Sequence, residues 1–217
     1  MRPSDATTFF AKGLFAFLTI VAFAAGLAFA MRRGHASSTD LPTLGQVPSF
    51  AMPDQRGRVV TAESLRGNVL VVDFFYASCT TSCPMLTGRM LDLQKGIARR
   101  ELEINRPLPV HLVSITLDPA NDTPEVLRAY AAGAGADESR WSFLSGRSED
   151  LDRVVIRGFG SSFERPDPSA GIGAIMHGEW LVLVDATGSL RGYYAATDPE
   201  RMQALVTDAF HLARGLP

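Results

Sequence analysis

The sequence is poor in cysteine, because only Cys79 and Cys83 occur among its 217 residues. Iron–sulfur clusters usually need more cysteines than this, so the sequence argues against such a cluster. Strong charge is also absent, since the formal net charge is −2 and the basic residues are scattered along the chain. The protein is therefore not predicted to bind nucleic acid. The sequence also lacks internal repeats and low-complexity blocks.

Charged residues are missing from one long stretch near the N-terminus, Gly13 to Met31. A helix that rises about 1.5 Å per residue would extend over about 28 Å here, close to the thickness of the hydrocarbon core of a bilayer. A cleaved signal peptide is the alternative, since Ala28-Phe29-Ala30 has the small-x-small form of a cleavage site. We favour an uncleaved transmembrane anchor, because the apolar run exceeds a usual signal-peptide core and Arg32-Arg33 follow at once.

The anchor hypothesis divides the chain into four segments. An N-terminal tail (1–12) precedes the anchor (13–31), and a linker without hydrophobic periodicity follows it (32–46). The remaining residues, 47–217, have the length of one domain with a single well-buried core.

Strand and helix patterns alternate within 47–217. The continuously apolar run Val69 to Phe75 predicts a central strand, and apolar residues at helical spacing after Pro84 predict a helix as far as Arg100. A second buried strand, Val110 to Leu117, completes a βαβ unit. The other predicted elements are a hairpin within Phe50 to Val60, a helix from Pro124 to about Ala132, a strand at Trp141 to Leu144, a helix from a Ser148 cap to Phe159, a hairpin of Trp180 to Asp185 with Leu190 to Tyr194, and a last helix from Asp198.

Both cysteines follow the predicted central strand directly, and Pro84 opens the next helix. At such a strand-to-helix turn, backbone N–H groups and the helix dipole lower the pKa of a thiol. Such sulfurs either exchange electrons or hold a soft metal. A local structural disulfide is the alternative, although it would close a very small loop and add little stability in the chain-entropy model.

The order of elements predicts an α/β fold of the thioredoxin-like type, with a central mixed sheet flanked by helices. In this architecture the segment before the last hairpin lies beside the cysteine loop. Thioredoxins have a cis-proline there, whereas this chain has Ile175-Met176-His177-Gly178-Glu179 and no proline between Pro168 and Pro199. An imidazole, His177, is therefore expected to face the two thiols.

Two thiolates and one imidazole form a soft, three-coordinate ligand set that suits Cu(I) and, with a weak added ligand, Cu(II). We predict Cys79, Cys83 and His177 as metal ligands. Structural zinc would require a fourth protein ligand, which is not evident. If the site is redox-active instead, Cys79 and Cys83 are its catalytic residues. His211 lies in the predicted last helix and is interpreted as structural.

Three motifs together resemble the Sco/SenC family of copper-binding, membrane-anchored thioredoxin-like proteins. They are Cys79-x3-Cys83-Pro84, the stretch Ser114-Ile115-Thr116-Leu117-Asp118-Pro119-Ala120-Asn121-Asp122-Thr123-Pro124, and the lone His177 ahead of a hairpin that contains Leu183-Val184-Asp185-x-x-Gly188. The similarity extends from about Val47 to Tyr194. After the histidine the chain departs from the family, where small polar residues usually follow, because it continues with Gly178-Glu179-Trp180.

The resemblance implies a copper metallochaperone that loads the dinuclear copper centre of cytochrome c oxidase. Its partners would be the copper-binding oxidase subunit and an upstream copper donor or thiol reductant. The resemblance also implies an inner-membrane protein with a cytoplasmic N-terminal tail and a domain in the periplasm or, in an organelle, the intermembrane space. A thiol–disulfide oxidoreductase that keeps target cysteines reduced is the alternative function.

Overall fold

The computed structural model describes residues 41–160 and 179–216, all of which belong to one compact unit, Asp40–Pro217. His177 and the predicted anchor lie outside the described residues. Within the described part of the chain, none of the helices combines the length and apolar character needed to cross a bilayer.

The strands are β1 Gly45–Gln46, β2 Ala51–Pro53, β3 Val59–Thr61, β4 Val69–Phe75, β5 Val110–Thr116, β6 Trp141–Leu144, β7 Trp180–Val184 and β8 Ser189–Ala195. The helices are α1 Cys83–Ile104, α2 Pro124–Ala134, α3 Ser148–Leu151 and α4 Pro199–Arg214, and a π-helical segment, Asp152–Gly158, continues α3.

Six strands form one mixed sheet in the order β1-β8-β7-β4-β5-β6. β4 pairs in parallel with β5 and antiparallel with β7, so it lies at the centre of the sheet, as predicted. β7 and β8 form the predicted closing hairpin, while β2 and β3 form a separate hairpin. This arrangement confirms the thioredoxin-like α/β fold.

The sheet is covered on both faces, because alternate residues of β4 belong to two different apolar clusters. Val69, Val71 and Phe75 pack with residues of α1, α2 and α4. Leu70 and its alternate neighbours pack on the other face with the π-helical segment. The two cysteines belong to the cluster beneath α1, so the thiols lie where the core meets the C-terminal end of β4.

Most predicted elements are confirmed within a few residues, and the differences have local causes. α1 continues past the predicted end at Arg100 and stops at Asn105, which has a left-handed conformation (φ 51°). β1 is formed by the last two residues of the segment predicted as linker, which pair with the start of β8.

The predicted helix from a Ser148 cap to Phe159 is wrong in two respects. The residue before the helix is Arg147, whose side chain makes no capping hydrogen bond, and Ser148 is the first helical residue. After four residues the α-helix changes to a π-helix, which buries Val154 and Val155 against the sheet. A π-helix has no distinct apolar period in so short a segment, so the pattern of the sequence could not separate it from an α-helix.

Candidate metal centre

The two cysteines occupy the turn between β4 and α1, where the structure keeps their sulfurs close together. Cys83 is the first residue of α1 and is fully buried, whereas Cys79 lies in the preceding loop and is 7% exposed. The Cys83 N–H donates to Cys79 Sγ at 3.4 Å, and Thr81 Oγ1 lies 3.6 Å from the same sulfur. Ser82, the residue before the helix, makes no side-chain cap, so the Cys79 sulfur takes that place. The two thiols are not joined by a disulfide.

The surroundings of the two sulfurs give Cys79 a lowered pKa and Cys83 a raised pKa. Burial by itself would raise the pKa of Cys79, but hydrogen bonds from the Cys83 side chain, the Cys83 N–H and Thr81 outweigh it and lower the pKa to about 6. Burial raises the pKa of Cys83 far above its ordinary value, and its hydrogen bond with Cys79 adds to this. The pair therefore holds one thiolate and one thiol at neutral pH, as the position at a helix N-terminus predicts for the first cysteine.

Tyr76 lies next to Cys79 and is 5% exposed. Burial raises its pKa to about 12, and a hydrogen bond between its side chain and Cys79 contributes to the increase. Because the phenol keeps its proton, it acts as a donor to the sulfur. Cys79 Sγ is thus surrounded by donors that stabilise negative charge.

A carboxyl group, Asp73, is buried in the middle of β4 on the cysteine side of the sheet and is 1% exposed. Ser114 Oγ donates to Asp73 Oδ1, and Trp141 Nε1 donates to Ser114 Oγ at 2.9 Å. Burial raises the pKa of Asp73 to about 7, against the hydrogen bond from Ser114. The negative charge of Asp73 also helps to raise the pKa of Cys83.

Two further carboxylates lie beyond the end of β5, and one of them, Asp122, accepts a hydrogen bond from the cysteine loop. Asp118 accepts hydrogen bonds from Asn121 Nδ2 at 3.1 and 2.8 Å. Asp122 accepts a hydrogen bond from the backbone N–H of Ala77 at 3.0 Å and another from Thr116 Oγ1. Asp122 of the second motif is therefore hydrogen-bonded to the loop that leads into the cysteine motif.

The described residues contain two of the three predicted ligands. In residues 41–160 and 179–216, His, Cys, Asp and Glu side chains form no group of three or more that could hold a metal ion. Cys79 and Cys83 are brought together, while His177 lies outside the described residues and stays a prediction. The described chain resumes at Glu179, and β7 then pairs antiparallel with β4. The first residues of β7 therefore lie beside the C-terminal end of β4, which leads into the cysteine loop.

Sequence reasoning missed Asp73, Tyr76 and Asp122. Asp73 had a visible signal, because it is the one charged residue in the apolar run of β4. Asp122 directly precedes Thr123, the N-cap of α2, and nothing in the sequence distinguishes it from an ordinary residue before a helix. Tyr76 had no distinguishing signal, since aromatic residues are common after buried strands.

Comparison with known proteins gives a consistent result. The sequence model of the SCO1/SenC family matches residues 40–210. A protein of Stutzerimonas stutzeri, provisionally named a copper-binding protein, is 30% identical over 156 residues, which cover 72% of each chain. The crystal structure of a SCO1/SenC family lipoprotein from Bacillus anthracis is 29% identical, with a TM-score of 0.68 over 78% of this chain and 95% of that one.

A second solved structure is that of BsSco, in which a disulfide switch was identified. It is 26% identical to this chain and has a TM-score of 0.66, covering 82% of this chain and 99% of its own. BsSco is described as a member of the Sco family of cytochrome c oxidase assembly proteins. On the extent of the family match and the shared fold, this chain belongs to the SCO1/SenC family.

Proposed function

We propose that this protein is a copper metallochaperone that binds copper through Cys79, Cys83 and His177 and delivers it to the dinuclear copper centre of cytochrome c oxidase during assembly. The proposal depends on one observation: two cysteine sulfurs lie side by side in a chain of the SCO1/SenC family, and the thiol of Cys79 has a lowered pKa. The Stutzerimonas stutzeri relative is named as a copper-binding protein, which supports copper as the metal delivered. BsSco belongs to a family of cytochrome c oxidase assembly proteins, which supports the oxidase as the recipient.

The chemistry of the pair suits transfer as well as binding. Thiolates prefer Cu(I), and a site with few ligands leaves one side of the metal open to an incoming thiol. The lowered pKa of Cys79 means that one ligand is already deprotonated at neutral pH. Binding then requires the release of the proton of Cys83 alone, so affinity should rise with pH.

Replacement of His177 tests the copper proposal. In the full chain, reduced and in detergent, we expect His177→Ala to weaken Cu(I) binding by about tenfold or more, because the soft site loses one of its donors. The absorption of a Cu(II)–thiolate complex should also disappear. Competition with a chromophoric Cu(I) chelator measures the affinity.

His211→Ala is the matched control, since this histidine lies in α4 and is not part of the proposed site. It should leave copper affinity and absorption unchanged. Thiol–disulfide exchange should survive in both variants, because it needs the two sulfurs only. Wild-type copper affinity in His177→Ala would contradict the proposed ligand set.

Thiol–disulfide exchange is the second candidate function, and the difference in acidity between the two cysteines favours it. The Cys79 thiolate would attack a disulfide of the partner, forming a mixed disulfide and releasing one partner thiolate. Cys83 would then lose its proton and attack Cys79 Sγ, which leaves the partner reduced and the Cys79–Cys83 pair oxidised. An external thiol reductant would restore the pair. The disulfide switch identified in BsSco supports this chemistry.

We also propose that residues 13–31 remain as a membrane anchor, with the domain in the periplasm or the intermembrane space. The lipoprotein nature of the Bacillus anthracis relative supports a membrane-associated location. The full chain should stay with membranes after an alkaline carbonate wash, because an apolar helix of this length spans the bilayer. A chain that begins at residue 32 should be released. Recovery of a mature chain that starts near residue 31 would favour the signal peptide instead.

A further inference from the structure

The position of Cys79 depends on a loop. Cys83 is fixed by α1, but Cys79 lies four residues earlier, outside both β4 and the helix. Within this loop the Cys79 N–H donates to the carbonyl of Tyr76 at 3.1 Å, which forms a local turn. One hydrogen bond that ties the loop to a distant part of the chain runs from the Ala77 N–H to Asp122, 45 residues further on.

We propose that Asp122 is a positioning residue, which holds the loop of Cys79 against the carboxyl end of β5 and so sets the distance between the two sulfurs. The proposal assigns a task to the Asp-Thr-Pro part of the second motif, next to the start of α2. It rests on the proposed function only in taking Cys79 and Cys83 as the reacting pair. Both candidate functions use that pair.

The carboxylate of Asp122 is itself held firmly. Asp122 is 2% exposed, and its backbone N–H donates to the carbonyl of Asp118 at 2.9 Å. Thr116 Oγ1 donates to the same carboxylate oxygen that accepts from Ala77, and it accepts from the Asp118 N–H at 3.0 Å. The side chain is therefore fixed between the end of β5 and the start of α2 before it meets the loop.

The contact has a direct consequence for the sulfur of Cys79. Ala77 is two residues from Cys79, and the turn between Tyr76 and Cys79 transmits its position. The hydrogen bond from the Cys83 N–H to Cys79 Sγ has an ordinary length for a sulfur acceptor, 3.4 Å, but sulfur is a weak acceptor, so this bond alone restrains the loop only weakly. Without Asp122 the loop would sample more conformations, and fewer of them would bring the sulfurs together.

The effective concentration of the two thiols measures this property without any metal. In glutathione buffers the reduced pair reacts with oxidised glutathione to give the Cys79–Cys83 disulfide and two reduced glutathione molecules, with two electrons passing to the glutathione. The equilibrium constant reports how readily the sulfurs meet. We expect Asp122→Ala to lower it by about tenfold in the full metal-free chain, because a freed loop has more conformations to lose.

Asp122→Asn is the discriminating variant, because the amide oxygen still accepts from Ala77 while the charge is gone. It should retain the wild-type equilibrium within about twofold, since a neutral acceptor suffices for positioning. Asp185→Ala is the control: like Asp122, this carboxylate accepts backbone N–H hydrogen bonds, here from Thr187 and Ser189, but it lies at the C-terminal end of β7, away from the cysteines. It should leave the equilibrium unchanged.

A wild-type equilibrium in Asp122→Ala would overturn the proposal, as would an equal shift in Asp122→Asn or in Asp185→Ala. If Asp122→Ala does not fold, Thr116→Val carries the test, because it keeps the shape of the side chain and removes the donor that fixes the carboxylate. A decrease of about threefold supports the proposal, and a wild-type value overturns it. Failure of copper binding would not alter these thiol measurements, so the two proposals fail separately.

Discussion

Replacement of Asp73 by Asn should raise the free energy of unfolding at pH 8 by about 3 kcal/mol, an unusual result for a polar substitution in a core. The carboxyl is buried and forms no salt bridge with the residues that the structure describes, and burial raises its pKa from 3.8 to about 7. Asn keeps the oxygen that accepts from Ser114 and carries no charge at any pH. The variant therefore avoids the cost of a buried, ionised carboxylate.

The effect should depend on pH in one direction. The folded chain holds the proton of Asp73 up to about pH 7, whereas the unfolded chain releases it near pH 4. Between these values the folded state binds more protons than the unfolded state, so the free energy of unfolding falls as the pH rises. Below about pH 4 both states are protonated, and wild type and Asp73→Asn should differ little.

Urea unfolding of wild type and Asp73→Asn at several pH values between 4 and 8 measures this difference. Asp92→Asn is the control, because Asp92 is an exposed residue of α1 and its replacement should leave the pH dependence of wild type intact. Parallel stability curves for wild type and Asp73→Asn would show that Asp73 is ionised at little cost in the folded state.

Iodoacetamide should react with Cys79 about 100-fold faster than with Cys83 at pH 7. The thiolate is the nucleophile, and with a pKa of about 6 Cys79 is mostly ionised at this pH. Burial and the neighbouring Cys79 raise the pKa of Cys83, which leaves it almost wholly protonated. Lowering the pH to 5 should slow the reaction of Cys79 by roughly tenfold, because its thiolate fraction falls in proportion.

Mass spectrometry of peptides from the reduced, metal-free chain distinguishes the two sites. In denaturant the two cysteines should react at similar rates, since the hydrogen bonds and burial that separate them are lost. Similar rates in the folded chain would mean that the helix N-terminus does not activate Cys79. Faster reaction of Cys83 would reverse the assigned roles in the exchange mechanism.

The parts of the fold that the sequence predicts well are those with a strong local pattern. The continuous apolar run of β4 and the helical spacing after Pro84 place the cysteines between a central strand and a helix, as the structure has them. The end of α1 at Asn105 was not predicted, because it depends on a single left-handed residue. The π-helical segment was not predicted, because over seven residues its apolar pattern in the sequence does not differ from that of an α-helix.

Of the candidate site, the structure confirms that the two sulfurs lie close together, while their role as metal ligands stays a prediction. Cys79 and Cys83 are close in the chain, so their spacing was informative, but the Ala77–Asp122 contact joins residues that only the tertiary fold brings together. The different acidities of the cysteines arise in the same way, from burial and hydrogen bonds rather than from residue type. His177 stays a prediction from the motif and the order of elements.

The sulfur at the start of α1 has a consequence for how this helix behaves. Because Cys79 Sγ accepts the N–H of Cys83 in place of an oxygen cap, any partner that draws electron density from the sulfur weakens the acceptor at the first turn. A change in the bonding of this sulfur therefore changes the strength of the first hydrogen bond at the start of α1. Amide hydrogen exchange at Cys83 would register that change directly.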